Sequence, residues 1–580
     1  MSAPTPPPNW QALCTDKRAR QLAQIPKEWL LPASSLPPAE QLDVSNVPRE
    51  CGVLTARELE ITEIDDVSVL LAKLASVEWS AVEVVTAFYK RAIVAHQVVN
   101  CLTEIFVERA LARAQELDAH LAKTGKPIGP LHGLPISLKD QIRMKGLETT
   151  MGYASWIGDY SDHDSVLVTL LYEAGANPFV RSNVPQTLMW PETYNHIFGR
   201  TVNPYNRKLT SGGSSGGEGA LISMKGSPLG VGSDIGGSIR IPSALCGIYG
   251  MRPSYGRVPY AGCTNSMEGQ DSVPSVLGPL SRSLSGIKAF MQTIISSKPW
   301  ERDPLAIRKA WDEEGYQLRD HGGDPKGLVF AILWDNSHVV PHPPITRGLE
   351  ETKKALERAG HKVVDWPAFP YAKLSTNLGQ IWNAAATDDY RATTNASGEP
   401  IITSMEHETD SLSENAADAT VPDFRPAEDG LSAYHLWQLQ KEKTALRVQH
   451  LAHWQATSAL TGTGRPVDAI ISPVVAYAAP PHGRNKNRSA NYTMVFNSLD
   501  YACCVFPVSK VDPSIDVRRP AHSFYNEFDK TNYEFYDPER FKGAPISLQL
   551  VGGTHEEEAV IAMTEVVDKA LKEYKATPLS

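Results

Sequence analysis

Strand-like and helix-like segments alternate along most of this 580-residue chain, which predicts an α/β fold built on a large central sheet. The composition agrees: 42% hydrophobic and 21% charged residues belong to a folded globular chain. No internal repeat of fixed period competes with that reading.

The first 60 residues read as an arm, crowded with prolines (Pro4, Pro6, Pro7, Pro8, then Pro32, Pro37, Pro38) and carrying Trp10, Trp29 and Leu30 as anchors. Ser80 with Glu83 forms a capping box, and Ala81, Val85, Phe88, Ala92 and Ala95 then share one helical stripe. A second helix runs from Val107 to Lys123 and stops at Gly125. The pattern then alternates: a strand over Leu134–Leu138, a helix over Ser165–Glu173 closed by Gly175, and a strand over Pro178–Arg181. Further on come a strand over Gly327–Leu333, a helix over Glu350–Ala359 and a buried strand over Val467–Ile471. Thr554 with Glu557 caps a last helix, with Val560, Met563, Val567 and Leu571 as its stripe. From Glu406 to Asp429, eight acidic residues accompany a single Arg with little apolar periodicity. The plain reading of this stretch, near 400–430, is a solvated surface insertion; the functional one is a lid or partner contact.

Bulk charge narrows the function. A net charge of −10 and no run of Lys and Arg leave no basic field for a nucleic acid. The seven cysteines, Cys14, Cys51, Cys101, Cys246, Cys263, Cys503 and Cys504, show no Cys-x-x-Cys pair at metal spacing. They read as reduced, packed thiols of an intracellular chain. The first residues lack the apolar core of a signal peptide, and no apolar stretch reaches the ~18 residues that span a bilayer. The expectation is a cytoplasmic protein without a transmembrane segment.

The chemistry concentrates between Thr210 and Arg252, in Gly212-Gly-Ser-Ser-Gly-Gly-Glu218 and Gly232-Ser-Asp-Ile-Gly-Gly-Ser238. Two glycine clusters this close place backbone against something or adopt positive φ. A phosphate or dinucleotide cradle is the rival, but no Gly-x-x-x-x-Gly-Lys-Ser/Thr occurs and Gly230-x-Gly232 lacks the third glycine. The remaining use is an oxyanion hole. Ile235, Gly236 and Gly237 precede Ser238, and a helix starts near Ile239, so backbone N–H groups converge where negative charge would develop. Ser238 is then a nucleophile in need of a base. No histidine lies between His196 and His321 and no Gly-x-Ser-x-Gly elbow surrounds Ser238. Lys139, ending the run His132-Gly-Leu-Pro-Ile-Ser-Leu-Lys139, becomes a base if burial lowers its pKa. Taken alone, a lysine after a strand reads more readily as a surface charge.

These runs resemble the amidase signature family. The match lies in Gly212–Gly250, in the Lys139 segment, in Ser182-Asn-Val-Pro-Gln186 and in Pro545-Ile-Ser-Leu-Gln-Leu-Val-Gly552. It spans roughly residue 60 to the end. The N-terminal arm and Asn183-Val-Pro-Gln-Thr-Leu-Met189 look like the fungal acetamidase branch, related to fatty acid amide hydrolases. The resemblance implies a single large domain over 61–580, with a mixed central sheet covered by helices on both faces. It implies a Ser-Ser-Lys triad: Lys139 as base, Ser214 as bridging serine and Ser238 as nucleophile, with the backbone of Ile235, Gly236, Gly237 and Ser238 as oxyanion donors. Leu188, Met189 and Trp190, with Ser214, match substrate-binding positions, and the bulky Trp190 departs from the small residue expected there.

The expected function is hydrolysis of a carboxylic amide through an acyl-enzyme on Ser238. No metal or organic cofactor is called for, and the partner is a small-molecule amide. The family also contains glutamine-dependent amidotransferase subunits, and a non-catalytic binding protein on this scaffold is a third reading. Asp234 with Arg240 reads as an ion pair holding the nucleophile's loop, Ser215 and Thr210 as hydrogen-bonding groups of the site or merely caps of the helix that follows, and Cys246 as a packed thiol. Substrate identity and oligomeric state are not legible; a homodimer is left open.

Overall fold

The computed structural model describes residues 9–405, 430–485 and 492–577. Eleven strands form one sheet: β1 Leu102–Ile105, β2 Pro135–Lys139, β3 Asn177–Ser182, β4 Leu229–Asp234, β5 Tyr249–Arg252, β6 Val276–Ser281, β7 Val329–Ile332, β8 Lys362–Asp365, β9 Ala469–Pro473, β10 Cys503–Lys510 and β11 Pro545–Val551. Their order is β1-β3-β2-β4-β6-β5-β10-β11-β9-β7-β8. β3, β2 and β4 run parallel, as do β9, β7 and β8, while the strands between pair antiparallel. The sheet is therefore mixed, as the resemblance implies. β2, β4 and β11 are buried along their whole length, which explains their continuous apolar or small-residue runs.

Local signals account for many of the boundaries. The helix Ala81–Val99 starts at the Ser80–Glu83 capping box, and its predicted stripe is buried. The helix Val107–Thr124 ends on Gly125 at φ 66°, a conformation glycine adopts without strain. Several boundaries shift by one or two residues, and two helix starts differ more. The helix expected to begin at Glu350 begins at Pro343, since prolines in the first turn lose no intrahelical hydrogen bond. The last helix, Glu557–Ala576, is not capped by Thr554; its N-cap is Glu556, with no side-chain cap bond. Glu557 instead accepts from Arg257 Nε at 2.7 Å and from Ser254 N at 2.8 Å.

The N-terminal arm is well anchored. It holds a helix, Trp10–Ala23, whose Lys17 is buried and pairs with Glu104 and Glu148. Trp10 packs on His196 at a ring separation of 5.1 Å, Trp29 is buried and Leu30 rests against the core. The acidic run 406–429 lies outside the described residues, but residues 400–405, expected to start a surface insertion, carry buried Ile402, Ser404 and Met405. All seven cysteines are free thiols. Among the described residues, no helix is long and apolar enough to cross a membrane.

Candidate active site

β2 and β4 are parallel neighbours, with Leu138 opposite Val231, so Lys139 and Asp234 leave the same end of the sheet. Ligands of open α/β sheets bind at such carboxyl ends. Lys139 is fully buried. Its Nζ lies 2.7 Å from Ser214 Oγ and 2.8 Å from Ser233 Oγ. The Ser233 hydroxyl donates to Gln141 Oε1, and Gln141 is held by Tyr260 OH at 2.7 Å and Thr264 O at 2.8 Å. Ser233 therefore only accepts from Lys139, which leaves the amine's lone pair for Ser214. Burial pushes the Lys139 amine down to about 7, against the opposing fields of Asp234 and Glu218. A neutral amine near neutral pH is thus accessible.

The turn after β4 carries Ser238. Asp234 and Arg240 form a buried ion pair, with Nε 3.0 Å from Oδ2. The carboxylate also accepts from Gly237 N at 2.8 Å, Ile239 N at 3.2 Å and Asn497 Nδ2 at 2.8 Å. Burial opposes the charge of Asp234, but Arg240 and these donors hold its carboxyl well below the usual range. The pair fixes the loop, as the sequence suggests. Gly237 sits at φ 137°, and a Cβ there would meet Thr493 Oγ1 at 2.4 Å. Of the four expected oxyanion donors, Gly237 N is directed to Asp234. Among the described residues, the N–H groups of Ile235, Gly236 and Ser238 have no protein acceptor. Ser215 N donates to Ser238 O at 3.1 Å, joining the two glycine clusters. The Gly213–Ser214 peptide is cis. No hydrogen bond joins the Ser214 and Ser238 hydroxyls directly among the described residues.

Ser215 and Thr210 hydrogen-bond locally and do not cap the helix, while Cys246 is packed as expected. Ser215 Oγ accepts from Ser233 N at 3.3 Å, Thr210 Oγ1 accepts from Gly212 N at 3.0 Å, and Cys246 is a buried thiol against Ser211 O. Ser215 precedes the helix Gly216–Ser223 without a side-chain cap bond.

Ser238 opens on a cavity of about 750 Å³. Leu188, Met189 and Trp190 line it, as do Ile235 and Gly236. Trp190 is at once wall and packing, clustered with Tyr194, Ile402 and Met405. Residues the sequence reading did not single out complete the wall, notably Trp382, Tyr390, Met494 and Phe528. Trp382 lies against the turn: a Cβ on Gly236 would come within 2.6 Å of its Cη2. Nothing in the spacing of these residues signals a shared cavity. Ser233, Gln141 and Glu218 also went unassigned, although Ser233 and Glu218 sit inside the glycine runs and Gln141 is two residues past Lys139.

The amidase family profile matches residues 83–561. The chain is 42% identical to an acetamidase of Aspergillus oryzae, over 98% of this chain and 99% of that one. It is 41% identical to an acetamidase of Emericella nidulans, over 97% and 99%. Among solved structures it matches fatty acid amide hydrolase with a TM-score of 0.85 and 31% identity, covering 97% of this chain and 95% of that one. Fold and relatives together define an amide hydrolase. The chain belongs to the amidase signature family.

Proposed function

We propose that this amidase works through an acyl-enzyme on Ser238, with Ser214 and Lys139 as a proton relay. Neutral Lys139 Nζ takes the Ser214 proton while Ser214 Oγ takes that of Ser238, whose oxygen attacks the amide carbonyl. The resting hydroxyls are not hydrogen-bonded to each other; such contacts commonly tighten only once substrate is bound. The N–H groups of Ile235, Gly236 and Ser238 take the oxyanion, and preorganised donors of this kind contribute roughly 3–4 kcal/mol each. Ser214 then protonates the leaving amine, and water attacks the ester through the same relay. The observation that carries this reading is the buried Lys139 amine at 2.7 Å from Ser214 Oγ.

The cavity favours an acyl group larger than acetyl. Acetamide would leave most of its about 750 Å³ unfilled, whereas apolar walls reward buried surface at roughly 25 cal/mol per Å². An aryl or medium-length acyl amide therefore has the higher kcat/KM. A screen of acetamide, longer aliphatic amides, aryl amides and indole-3-acetamide tests this on the purified chain. Fastest turnover of acetamide would refute the size argument, and no hydrolysis of any primary amide would refute the function.

A further inference from the structure

Glu218 is a buried acid that the relay does not use. It stands in the first turn of the helix Gly216–Ser223, without solvent exposure. Its Oε2 accepts from Ser137 Oγ at 2.6 Å, while Oε1 makes no hydrogen bond of normal geometry and has the Ser182 hydroxyl as its neighbouring donor. Among the described residues, no cation forms an ion pair with it. Ser137 and Lys139 are two apart on β2, so their side chains leave the strand on the same face. Glu218 thus meets, through Ser137, the side of the strand that carries the Lys139 amine. Gly230 on neighbouring β4 provides the room: a Cβ there would lie 2.0 Å from Glu218 Oε2 and 2.6 Å from Ser137 Oγ.

The charges around this pair are few. Asp234, paired with Arg240, acts on Lys139 with the larger field, and Glu218 adds the second. The other groups acting on Glu218 are the Ser137 and Ser182 hydroxyls and Lys139, and Glu218 acts in turn on the buried Cys101 thiol, which burial pushes up beyond its usual range. Burial pushes Glu218 up to about 7, into the range where Lys139 titrates. Two interacting groups with overlapping titrations share their protons as a unit.

We propose that Glu218 is a positioning residue whose negative charge raises the proton affinity of the Lys139 amine, and with it the pH at which amide hydrolysis turns on. This rests on the reading of Lys139 as the base. A negative Glu218 stabilises protonated Lys139 and holds the base inactive to higher pH. Loss of that charge frees the amine at lower pH.

The test is the rate of fluorophosphonate modification of Ser238 along the acid limb, each protein normalised to its own alkaline plateau. Glu218→Gln moves the midpoint to lower pH by up to about one unit, so the relative rate rises by up to about tenfold near neutral pH, where the wild-type carboxylate is charged, and little well below it. Ser137→Ala removes the donor that favours the carboxylate and moves the limb the same way by less. It also answers the question if Glu218→Gln folds poorly. Glu218→Asp, which keeps the charge, stays nearer wild type than Glu218→Gln. An unmoved limb in the folded variants, or movement to higher pH, overturns the proposal. The underlying reading fails differently: Lys139→Ala would then label as fast as wild type, whatever Glu218→Gln does to the limb.

Discussion

Around Lys139, Asp234 and Ser238, side chains are buried and bound to one another; across the cavity, Leu188, Met189, Trp382 and Phe528 present mostly apolar surface. The first region is assembled from three short runs: 132–141, 210–218 and 232–240. The second gathers segments from 187–191, 372–402, 494 and 526–528. A region of interlocked polar bonds tolerates little change, because each removed partner strands another buried group. An apolar wall tolerates exchange at modest cost. Chemistry and substrate choice are thereby separated in one cavity, and substitutions in the two regions differ in size and kind.

The largest effects fall on the relay. Lys139→Ala and Ser238→Ala each lower kcat by about three or more orders of magnitude, as loss of a triad member does, with circular dichroism unchanged. Next comes the ion pair beneath the turn. Arg240→Gln leaves Asp234 buried and unpaired and costs about 3–5 kcal/mol, read as a fall in Tm together with lost activity. A folded Arg240→Gln of normal activity would show that the loop holds itself. The pH profile is a smaller effect. Because the active amine is the deprotonated one and burial puts it at about 7, kcat/KM rises with pH through that region. Below the midpoint it falls about tenfold per unit.

The cavity wall gives the smallest effect. Trp190→Ala shifts preference toward bulkier acyl groups by about 1–3 kcal/mol in relative kcat/KM, while acetamide turnover changes little. If Trp190 acts chiefly through its packing with Tyr194, Ile402 and Met405, the substitution instead lowers Tm with the substrate profile unchanged.

The same contrast explains what was legible in the sequence. Lys139, Ser214 and Ser238 sit in runs whose glycines and hydroxyls are local signals, and the structure brings Lys139 against Ser214 and places Ser238 at the cavity. The capping box at Ser80 and the stop at Gly125 were readable for the same reason: each is a contact between near neighbours in the chain. Trp382 and Phe528 reach the cavity only through tertiary packing, which no period or spacing records. Gly237 is the instructive intermediate. Its place in the turn was evident, but its N–H serves Asp234 because the carboxylate curls back under the turn, a detail of geometry and not of composition. The helix starts at Pro343, ahead of the Glu350 that the sequence suggests, because prolines in a first turn leave the helix intact.

Covalent labelling tests the central claim, that Ser238 is the nucleophile of a relay ending at Lys139. The protein is treated with a fluorophosphonate and the modified peptide is mapped, for wild type, Ser238→Ala and Lys139→Ala. The account predicts a single label on Ser238, none on Ser238→Ala, and strongly slowed labelling of Lys139→Ala that recovers little at neutral pH. A label on another serine, or wild-type labelling of Lys139→Ala, would contradict it.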